Sequence, residues 1–487
     1  MTLLAPLGVA TDPRAGVEGE TVAVVGGGCA GTLVAAHFLR LDRRPRRLVI
    51  FEPGPEIGAG PAYGTDDPRL LLNAPVGTMS AFDDAPDHFA TWLLARRRPY
   101  SAADFVPRTL YRRYLQDALA EQVGGAVAGT EVVVVDEAVT AVVAGGDPGG
   151  RAFALRLGSG ASVEADRVVL ALGAPPPAVV ARLDVTCFGV VSDPWAPGAL
   201  AAVPPGDVLL VGTGLTMVDV ALALTGTGTR TVYARSRHGR LPAVHVDGGC
   251  APWPAAPDFT AGEVGVDGAG SVTARAVVRL LRHHLQSAAA EGRPWQSVIG
   301  AARGAAPGLW ASLAPTEKRR LLRHAGRRWE LARHRMAPSV ARAVTALRAG
   351  GRLDVAAGTV VDVVNEGSVD EPSLRVRLRS GGGRHEQLTV GAVIDCTGPG
   401  PDPAASSPLV ADLLRRGLAR PDPSGVGLDV DGDGALRGDQ SLPVPVHVVG
   451  WLRRGAEFEA TAVPEIRAQA QRLVRAVTRH GAGAVTG

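Results

Sequence analysis

Two glycine-rich loops, each placed between a short apolar strand and a helix, predict an α/β chain with two Rossmann-like dinucleotide-binding domains. The first loop, 26–31, follows the apolar run 22–25, and the second, 212–217, follows the apolar run 208–211. A chain of 487 residues also exceeds what one hydrophobic core usually serves, so two domains are expected. Two such loops favour two dinucleotides held face to face, so that one cofactor passes a hydride to the other.

The first loop fits the pyrophosphate fingerprint G-x-G-x-x-G. Gly26 permits the tight turn, Gly28 lets the backbone approach a pyrophosphate, and Gly31 lets the next helix pack on the sheet. Free N–H groups at the helix N-terminus carry partial positive charge and suit a phosphate. The strand 47–51 then ends in Glu52, where the motif places the acceptor for ribose hydroxyls. A buried or solvated glutamate after an ordinary glycine loop is the alternative.

The second loop departs from the fingerprint, because Met217 replaces the third glycine. The strand 231–234 that follows ends in Arg235 and Arg237 rather than in an acid. Arginines suit a 2′-phosphate, so the sequence predicts NADP(H) rather than NAD(H). A solvated basic turn is the alternative interpretation. The predicted ligands of this second cofactor are Gly212, Gly214, Arg235 and Arg237.

Composition excludes several other classes of protein. Hydrophobic residues make up 46% of the chain and the formal net charge is +3, which leaves no electrostatic footprint for nucleic acid. The four cysteines form no CxxC pair, and Asp429, Asp431 and Asp433 lack the spacing of a calcium loop, so no metal site is predicted. The N-terminus has no positive n-region and no apolar span approaches ~20 residues, so we expect a cytoplasmic protein that binds no membrane.

The order of the predicted elements indicates a discontinuous first domain with the second inserted into it. Residues 1–20 are expected to be a leader. The first, FAD-binding domain is assigned to 21–203 and 350–487, and the NADP-binding domain to 204–349. Within the latter, 272–348 has helical periodicity. The chain ends in a strand at 446–449 and a helix from about Pro464.

Several further motifs accompany the glycine loops. They are Gly60-Pro-Ala-Tyr63, Leu72-Asn73-Ala-Pro75, Phe105-Val-Pro-Arg108, Asp193-Pro-Trp195, the segment 212–219, Arg333-His-Arg-Met-Ala-Pro338 and Phe458-Glu-Ala-Thr-Ala-Val-Pro-Glu465. With them, nearly the whole chain resembles the bacterial FAD/NAD(P)-binding protein family, relatives of the class B flavin monooxygenases and amino-acid N-hydroxylases. The resemblance implies FAD in the first domain and NADPH in the second, and it does not fix the substrate.

These motifs also supply candidate site residues. We expect Tyr63 to lie along the flavin, and Asn73 to hydrogen-bond to its ring or to the substrate, although an ordinary surface loop is the alternative. Thr461 and Val463 are expected at the start of a helix whose N-terminus faces the flavin, where it would stabilise negative charge. Arg333 and Arg335 are candidates for binding a cofactor phosphate or a substrate carboxylate, against the alternative of a solvated basic helix face.

The favoured function is an NADPH-dependent flavin monooxygenase. NADPH would reduce FAD, and a flavin hydroperoxide formed with molecular oxygen would hydroxylate a small substrate. The N-hydroxylase relatives and the surplus of arginines favour an amino-acid-like amine with a carboxylate. His238 and His245 are candidate bases, although a lone histidine is more often structural. A flavin reductase or dehydrogenase without oxygen transfer and a non-catalytic FAD-binding scaffold or redox sensor stay open, as does the oligomeric state.

Overall fold

The computed structural model describes most of the chain and divides it around two parallel sheets. The described residues are 19–145, 152–175, 177, 188–226, 229–251, 253–254, 271–368, 371–400, 402, 404, 407–439 and 446–480. The predicted leader lies outside them except for its last two positions, 19 and 20.

The strands and helices follow the glycine-loop pattern predicted from the sequence. The strands are β1 (Glu20–Val25), β2 (Arg46–Phe51), β3 (Glu131–Val135), β4 (Val139–Ala144), β5 (Phe153–Leu157), β6 (Ser162–Ala165), β7 (Arg167–Leu170), β8 (Val190–Val191), β9 (Val208–Val211), β10 (Val232–Ser236), β11 (Leu353–Ala357), β12 (Thr359–Asn365), β13 (Leu374–Arg379), β14 (His385–Val390), β15 (Ala392–Asp395) and β16 (Val446–Val448). The helices are α1 (Cys29–Leu41), α2 (Gly60–Tyr63), α3 (His88–Ala95), α4 (Arg108–Gly124), α5 (Leu215–Thr225), α6 (Ala274–Ala290), α7 (Trp295–Ser312), α8 (Pro315–Leu321), α9 (Arg327–Arg333), α10 (Pro338–Ala349), α11 (Pro408–Arg415) and α12 (Val463–His480). A π-helical turn, Leu322–Gly326, joins α8 to α9, and short 3₁₀ turns lie at Val76–Thr78 and Trp451–Arg453.

The first sheet has the strand order β16-β7-β1-β2-β3, and every neighbouring pair is parallel. Its central strands are buried along nearly their whole length, as expected for a parallel sheet that is covered on both faces. Helices α1, α4 and α12 contribute to the core on one face. The antiparallel meander β4-β5-β6 and helix α11 contribute to the core on the other.

The second sheet has the order β11-β10-β9-β15-β8 and is also parallel. Helices α5 and α10 cover one face, and the antiparallel meander β12-β13-β14 covers the other. The two sheets confirm the predicted α/β class with two dinucleotide-type domains.

The predicted boundaries at 203 and 350 do not coincide with the boundaries of the sheets. β8 precedes 203, and β11 and β15 follow 350, yet all three strands belong to the second sheet. The reason is that β12 to β14 form the connection between β11 and β15, so the chain stays with the second sheet until Asp395. Strand periodicity predicts that strands resume near Leu353, but it carries no information about which sheet they join.

Helices α6 to α10 occupy the region where the sequence predicts a helical segment, and α7 packs against the C-terminal part of the first domain. The Trp310 indole N–H donates to the carbonyl of Gly455 at 2.7 Å. The Trp310 ring also stacks on Phe458 with 4.8 Å between ring centroids. The helical segment therefore contacts both domains, although it is inserted in the second.

A buried ion pair joins the two domains. Arg108 at the start of α4 donates to Asp219 in α5, with 2.6 Å between Nη2 and Oδ2, and its Nε donates to the carbonyl of Leu71. A second contact joins the His245 Nε2 to the Asn73 carbonyl at 2.9 Å. The ion pair joins two of the family-like motifs, 105–108 and 212–219, and the second contact joins the motif 72–75 to His245 of the second domain.

One buried histidine makes the stability of the first domain depend on pH. Burial lowers the pKa of His37 from 6.5 to about 4, although its Nε2 contacts the carbonyl of Ala81. In the unfolded chain His37 therefore becomes protonated as the pH falls below 6.5, whereas in the folded chain it becomes protonated only near pH 4. Since stability rises with pH wherever the unfolded state binds more protons, this residue destabilises the protein increasingly as the pH falls through that window.

We expect His37→Gln to weaken the acid sensitivity of folding. The amide can still hydrogen-bond to the Ala81 carbonyl but does not titrate. Between pH 7.5 and pH 5 the wild type should lose about 2 kcal/mol more stability than the variant. Denaturant unfolding at the two pH values measures this difference, with His238→Gln on an exposed turn as the control. Equal losses in the wild type and His37→Gln would contradict the assignment.

Candidate active site

The first glycine loop crosses the carboxyl end of β7. Gly26 has a φ of +101°, and a Cβ at this position would lie 2.5 Å from the Ala171 carbonyl oxygen. A Cβ on Gly31 would overlap the Gly26 carbonyl oxygen, so these two glycines are required for packing. Gly28 differs, because a Cβ added to it would make no close contact. The nearest atom would be the Cα of Gly60, at 3.6 Å. Gly28 caps α1 and leaves the helix N-terminus open to a cavity.

Glu52 is held beside this loop by backbone N–H groups. Its Oε2 accepts from Gly27 at 2.7 Å and its Oε1 accepts from Gly54 at 2.8 Å. Each carboxylate oxygen keeps a further lone pair, and the side chain lines the same cavity as Gly28. The carboxylate can therefore accept hydrogen bonds from two hydroxyls of a ribose while it keeps those from Gly27 and Gly54.

The cavity has a volume of about 520 Å³, and it gathers residues from distant parts of the chain. Of the predicted cofactor ligands, Gly26, Gly28, Glu52, Tyr63, Thr461 and Val463 line it. Helix α12 begins at Val463, as the sequence predicts to within a residue, and its N-terminus lies at the cavity wall. Two helix N-termini, those of α1 and α12, thus meet at one cavity although they are separated by over 400 residues of chain.

Tyr63 shows how the cavity wall is built. Its ring packs on Tyr111 with 4.9 Å between centroids, and its hydroxyl hydrogen-bonds to the Cys29 thiol. Burial raises the pKa of Cys29 to about 12, so this thiol stays protonated at neutral pH. Cys29 therefore contributes a small neutral group at the start of α1 and no nucleophile.

The second glycine loop repeats the geometry of the first. Gly212 has a φ of +117°, and a Cβ there would overlap the carbonyl oxygen of Cys396 at the end of β15. Gly214 caps α5 and has no backbone against it. The guanidinium of Arg327 lies in front of it, with Nη2 3.6 Å from the position of a Gly214 Cβ. A pyrophosphate at the N-terminus of α5 would therefore meet a cation as well as free N–H groups.

Arg327 is a candidate ligand that the sequence analysis missed. It lies in α9, more than a hundred positions after the loop that it faces, so no local spacing connects the two. The only sequence signal is the density of basic residues around it, at 318–328. That signal does not distinguish a phosphate ligand from a solvated helix face.

Arg235 is placed differently from the prediction. Its side chain is 3% exposed, and its Nη2 pairs with Asp354 at 2.7 Å and Glu386 at 2.9 Å. Two carboxylates therefore neutralise the guanidinium, and the structure does not present it as a free cation for a 2′-phosphate. Strand alternation explains this placement, since Arg235 lies within β10 and points to the meander side. Arg237 lies beyond the strand and is exposed.

Arg333 and Arg335 are both largely buried. Arg333 donates from Nε to Glu459 at 3.2 Å, and its Nη2 has no hydrogen-bond partner among the described residues. Arg335 donates from Nε to the carbonyl of Ala332. Burial, reinforced by the charge of Arg333, lowers the pKa of Arg335 to about 10, so it stays charged at neutral pH. The two guanidiniums are enclosed positive charges, and Arg333 contacts the segment that carries Thr461 through Glu459.

Asn73 does not line the cavity around Gly28. Its side chain is exposed, and its carbonyl contacts His245 of the second domain. Burial lowers the pKa of His245 to about 4, so this ring is neutral at pH 7. The structure thus assigns Asn73 and His245 to the domain boundary, while His238 lies on an exposed turn.

The described part of the chain contains neither a candidate metal site nor a candidate membrane-spanning helix. No group of three or more histidine, cysteine, aspartate or glutamate side chains within it could hold a metal ion. No helix within it is both long enough and apolar enough to cross a membrane.

Comparisons with known proteins agree with this geometry. A family model described as FAD-NAD(P)-binding matches residues 23–175, which contain the first loop, Glu52 and Tyr63. No curated protein sequence matches the chain significantly. The fold, in contrast, has clear structural counterparts.

One similar structure is the ornithine N-hydroxylase of Kutzneria sp. 744 with reduced FAD, NADP⁺ and L-ornithine, at a TM-score of 0.66 and 16% identity over 95% of this chain and 100% of that one. A second is the L-lysine 6-monooxygenase of Pseudomonas syringae, with a TM-score of 0.60 and 18% sequence identity. The match covers 95% of this chain and 99% of that one. A third is the FAD-bound cadaverine monooxygenase of Erwinia amylovora, with a TM-score of 0.61 and 13% sequence identity. The match covers 96% of this chain and 95% of that one. At these identities the likeness establishes the fold of the chain.

We expect Gly28→Val to fold but to lose FAD. The backbone at Gly28 is extended with a φ of −65°, and no atom lies within 3.5 Å of its Cβ position, so a Cβ is tolerated at this residue, which lines the cavity. Affinity for FAD should fall by about a hundredfold or more, because the valine occupies the approach of the pyrophosphate. Fluorescence titration of flavin-free protein measures this loss.

Two further glycine variants distinguish a loss of FAD binding from a loss of folding. Gly124→Val lies at the exposed end of α4 with open space around it and should bind FAD as the wild type does. Gly31→Ala should instead destabilise the fold, because its Cβ meets the Gly26 carbonyl. Unchanged FAD affinity in a folded Gly28→Val protein would place the pyrophosphate elsewhere.

Proposed function

We propose that the chain is an FAD-dependent NADPH oxidoreductase that hydroxylates a small substrate as a monooxygenase. The observation that carries the proposal is the single cavity where the first glycine loop, Glu52 and the N-terminus of α12 meet. A second glycine loop opens α5, and α5 is fixed to the first domain through Asp219 and Arg108. Two dinucleotide sites on one chain are the arrangement that hydride transfer between two cofactors requires.

The first cavity suits FAD along its length. Gly28 and the first N–H groups of α1 would hold the pyrophosphate, and Glu52 would accept ribose hydroxyls. Thr461 and Val463 would lie against the ring end, where the partial positive charge of α12 favours negative charge on the ring. Glu465 in the first turn of α12 opposes that effect, but Arg303 neutralises it through two hydrogen bonds of 2.6 Å.

The second loop suits the pyrophosphate of NADPH. Gly214 and the N-terminus of α5 would bind it together with Arg327. Arg237, exposed after β10, would bind the 2′-phosphate, the role that the sequence predicts for Arg235 and Arg237 together.

Bound FAD would supply the chemistry, which is acceptance of a hydride and transfer of electrons to oxygen. The residues of the chain would orient the reactants and exclude water. The substrate that we propose first is a small amine, because the three similar structures described above are named as oxygenases of ornithine, lysine and cadaverine. Arg333 and Arg335 are proposed to attract an anionic group, either a substrate carboxylate or a cofactor phosphate, and Asn73 to act at the domain boundary.

The test is reduction of the bound flavin by NADPH followed by analysis of oxygen transfer. Product mass spectra from a panel of amines, recorded under ¹⁸O₂, should show one labelled oxygen atom in a product. Flavin reduction that yields only hydrogen peroxide with every amine would favour a reductase. Bound FAD that NADPH cannot reduce would favour a non-catalytic scaffold.

Arg237→Gln and Arg327→Gln should separate the two phosphate contacts. A hydrogen bond to a charged group contributes about 1.5–3 kcal/mol, or roughly ten- to a hundredfold in affinity. Arg237→Gln should raise KM for NADPH by about tenfold and leave KM for NADH unchanged, because NADH lacks the 2′-phosphate. Arg327→Gln should raise both, because the pyrophosphate is common to the two cofactors.

Steady-state kinetics with each cofactor provides the measurement. Arg348→Gln, an exposed arginine of α10, is the matched control for a lost surface charge. The assignment of Arg237 fails if its variant weakens NADH and NADPH equally, and that of Arg327 fails if neither KM changes.

A further inference from the structure

The helical segment lines a second cavity, of about 570 Å³ and partly open to solvent, that shares no lining residue with the cavity around Gly28. Its wall is mainly aromatic and aliphatic, with three tryptophans, Trp295, Trp310 and Trp329, and with Phe458 from the first domain. A volume of this size between packed helices is typical of a site for a small organic ligand.

Part of the cavity wall is formed by an irregular stretch of helical backbone. The π-helical turn Leu322–Gly326 interrupts the path from α8 to α9, and His324, Ala325 and Gly326 all face the cavity. Such turns form a less favourable hydrogen-bond pattern than the α-helix and occur frequently at functional sites. The turn therefore supports a binding role for the cavity independently of its volume.

The helical segment concentrates positive charge. Residues 272–348 contain fourteen arginines and one lysine but only three glutamates and no aspartate, whereas the whole chain has a formal net charge of +3. All three glutamates are paired with arginines: Glu291 with Arg293, Glu317 with Arg320, and Glu330 with Arg327 and Arg454. No acidic side chain of the segment is left to neutralise the remaining arginines.

Two of those arginines line the apolar cavity. Arg282 and Arg328 belong to its wall together with His324, and all three are exposed. None of the three makes a hydrogen bond or an ion pair with another described residue. The cavity thus combines an apolar body with two cations that no carboxylate of the described chain neutralises.

We propose that this cavity binds a small molecule with an apolar body and one anionic head group. The apolar part would contact the tryptophans, and the head group would pair with Arg282 and Arg328. Guanidinium groups bind carboxylates and phosphates through the same paired N–H donors, so both head groups belong to the proposed class. A cationic head group is disfavoured, because it would approach two positive charges. This inference does not depend on the proposed flavin chemistry.

The primary experiment compares four ten-carbon probes that differ in their head groups. Decanoate, decyl phosphate, decylamine and 1-decanol are titrated into the full chain below their aggregation concentrations, with tryptophan fluorescence and calorimetry as readouts. At least one anion should bind tenfold or more tightly than decylamine, and the stronger of the two identifies carboxylate or phosphate as the preferred head group. Equal binding of decylamine, or no saturable binding of either anion, would overturn the proposal.

Variants then locate the bound probe. Arg282→Gln and Arg328→Gln should each weaken anion binding about tenfold and leave 1-decanol unchanged. Two exposed arginines outside the cavity are the controls, Arg279 in α6 and Arg323 in the π-helical turn, and their replacement by glutamine should have no effect. Ala306→Trp should fill the cavity and abolish binding of all probes, and Ala302→Leu serves the same purpose should the larger side chain prevent folding. Equal effects of lining and control arginines would show that the anion binds by general surface charge, and would overturn the assignment.

Discussion

The close crossing of a glycine loop over the end of a neighbouring strand determines the rest of this structure. Gly26 lies against the Ala171 carbonyl, and Gly212 lies against the Cys396 carbonyl in the same way. At each place a side chain would collide with backbone that cannot move without breaking the sheet. The two crossings bring helices α1 and α5 to the carboxyl edges of their sheets, with their N-terminal N–H groups open to a ligand.

Local sequence patterns predict this arrangement because its requirements are local. The strand, the glycines, the helix and Glu52 all lie within one short stretch of chain, and each has a steric or electrostatic reason that can be stated from its position alone. The start of α12 near Pro464 is predictable for the same reason, since proline suits the first turn of a helix. These are the elements for which sequence and structure agree most closely.

The remaining features depend on contacts between distant segments, which single-sequence periodicity does not encode. β11 and β15 belong to the second sheet because of the strands they pair with, and not because of their own composition. Arg235 is neutralised by Asp354 and Glu386, both more than a hundred positions away. Arg327 reaches the second loop from α9. In each case the residue type suggests a charge, but only the fold shows what that charge meets.

The pair Arg108–Asp219 explains how such non-local contacts connect the two cofactor sites. Both side chains are largely buried, and burial raises the pKa of Asp219 even though Arg108 opposes the shift. Desolvation therefore offsets much of the attraction, so the pair is expected to contribute little net stability. Breaking it would nevertheless leave a buried unpaired charge, which penalises any arrangement that separates α4 from α5. Its effect is therefore on geometry, because it holds the helix of the second glycine loop against the domain that carries the first.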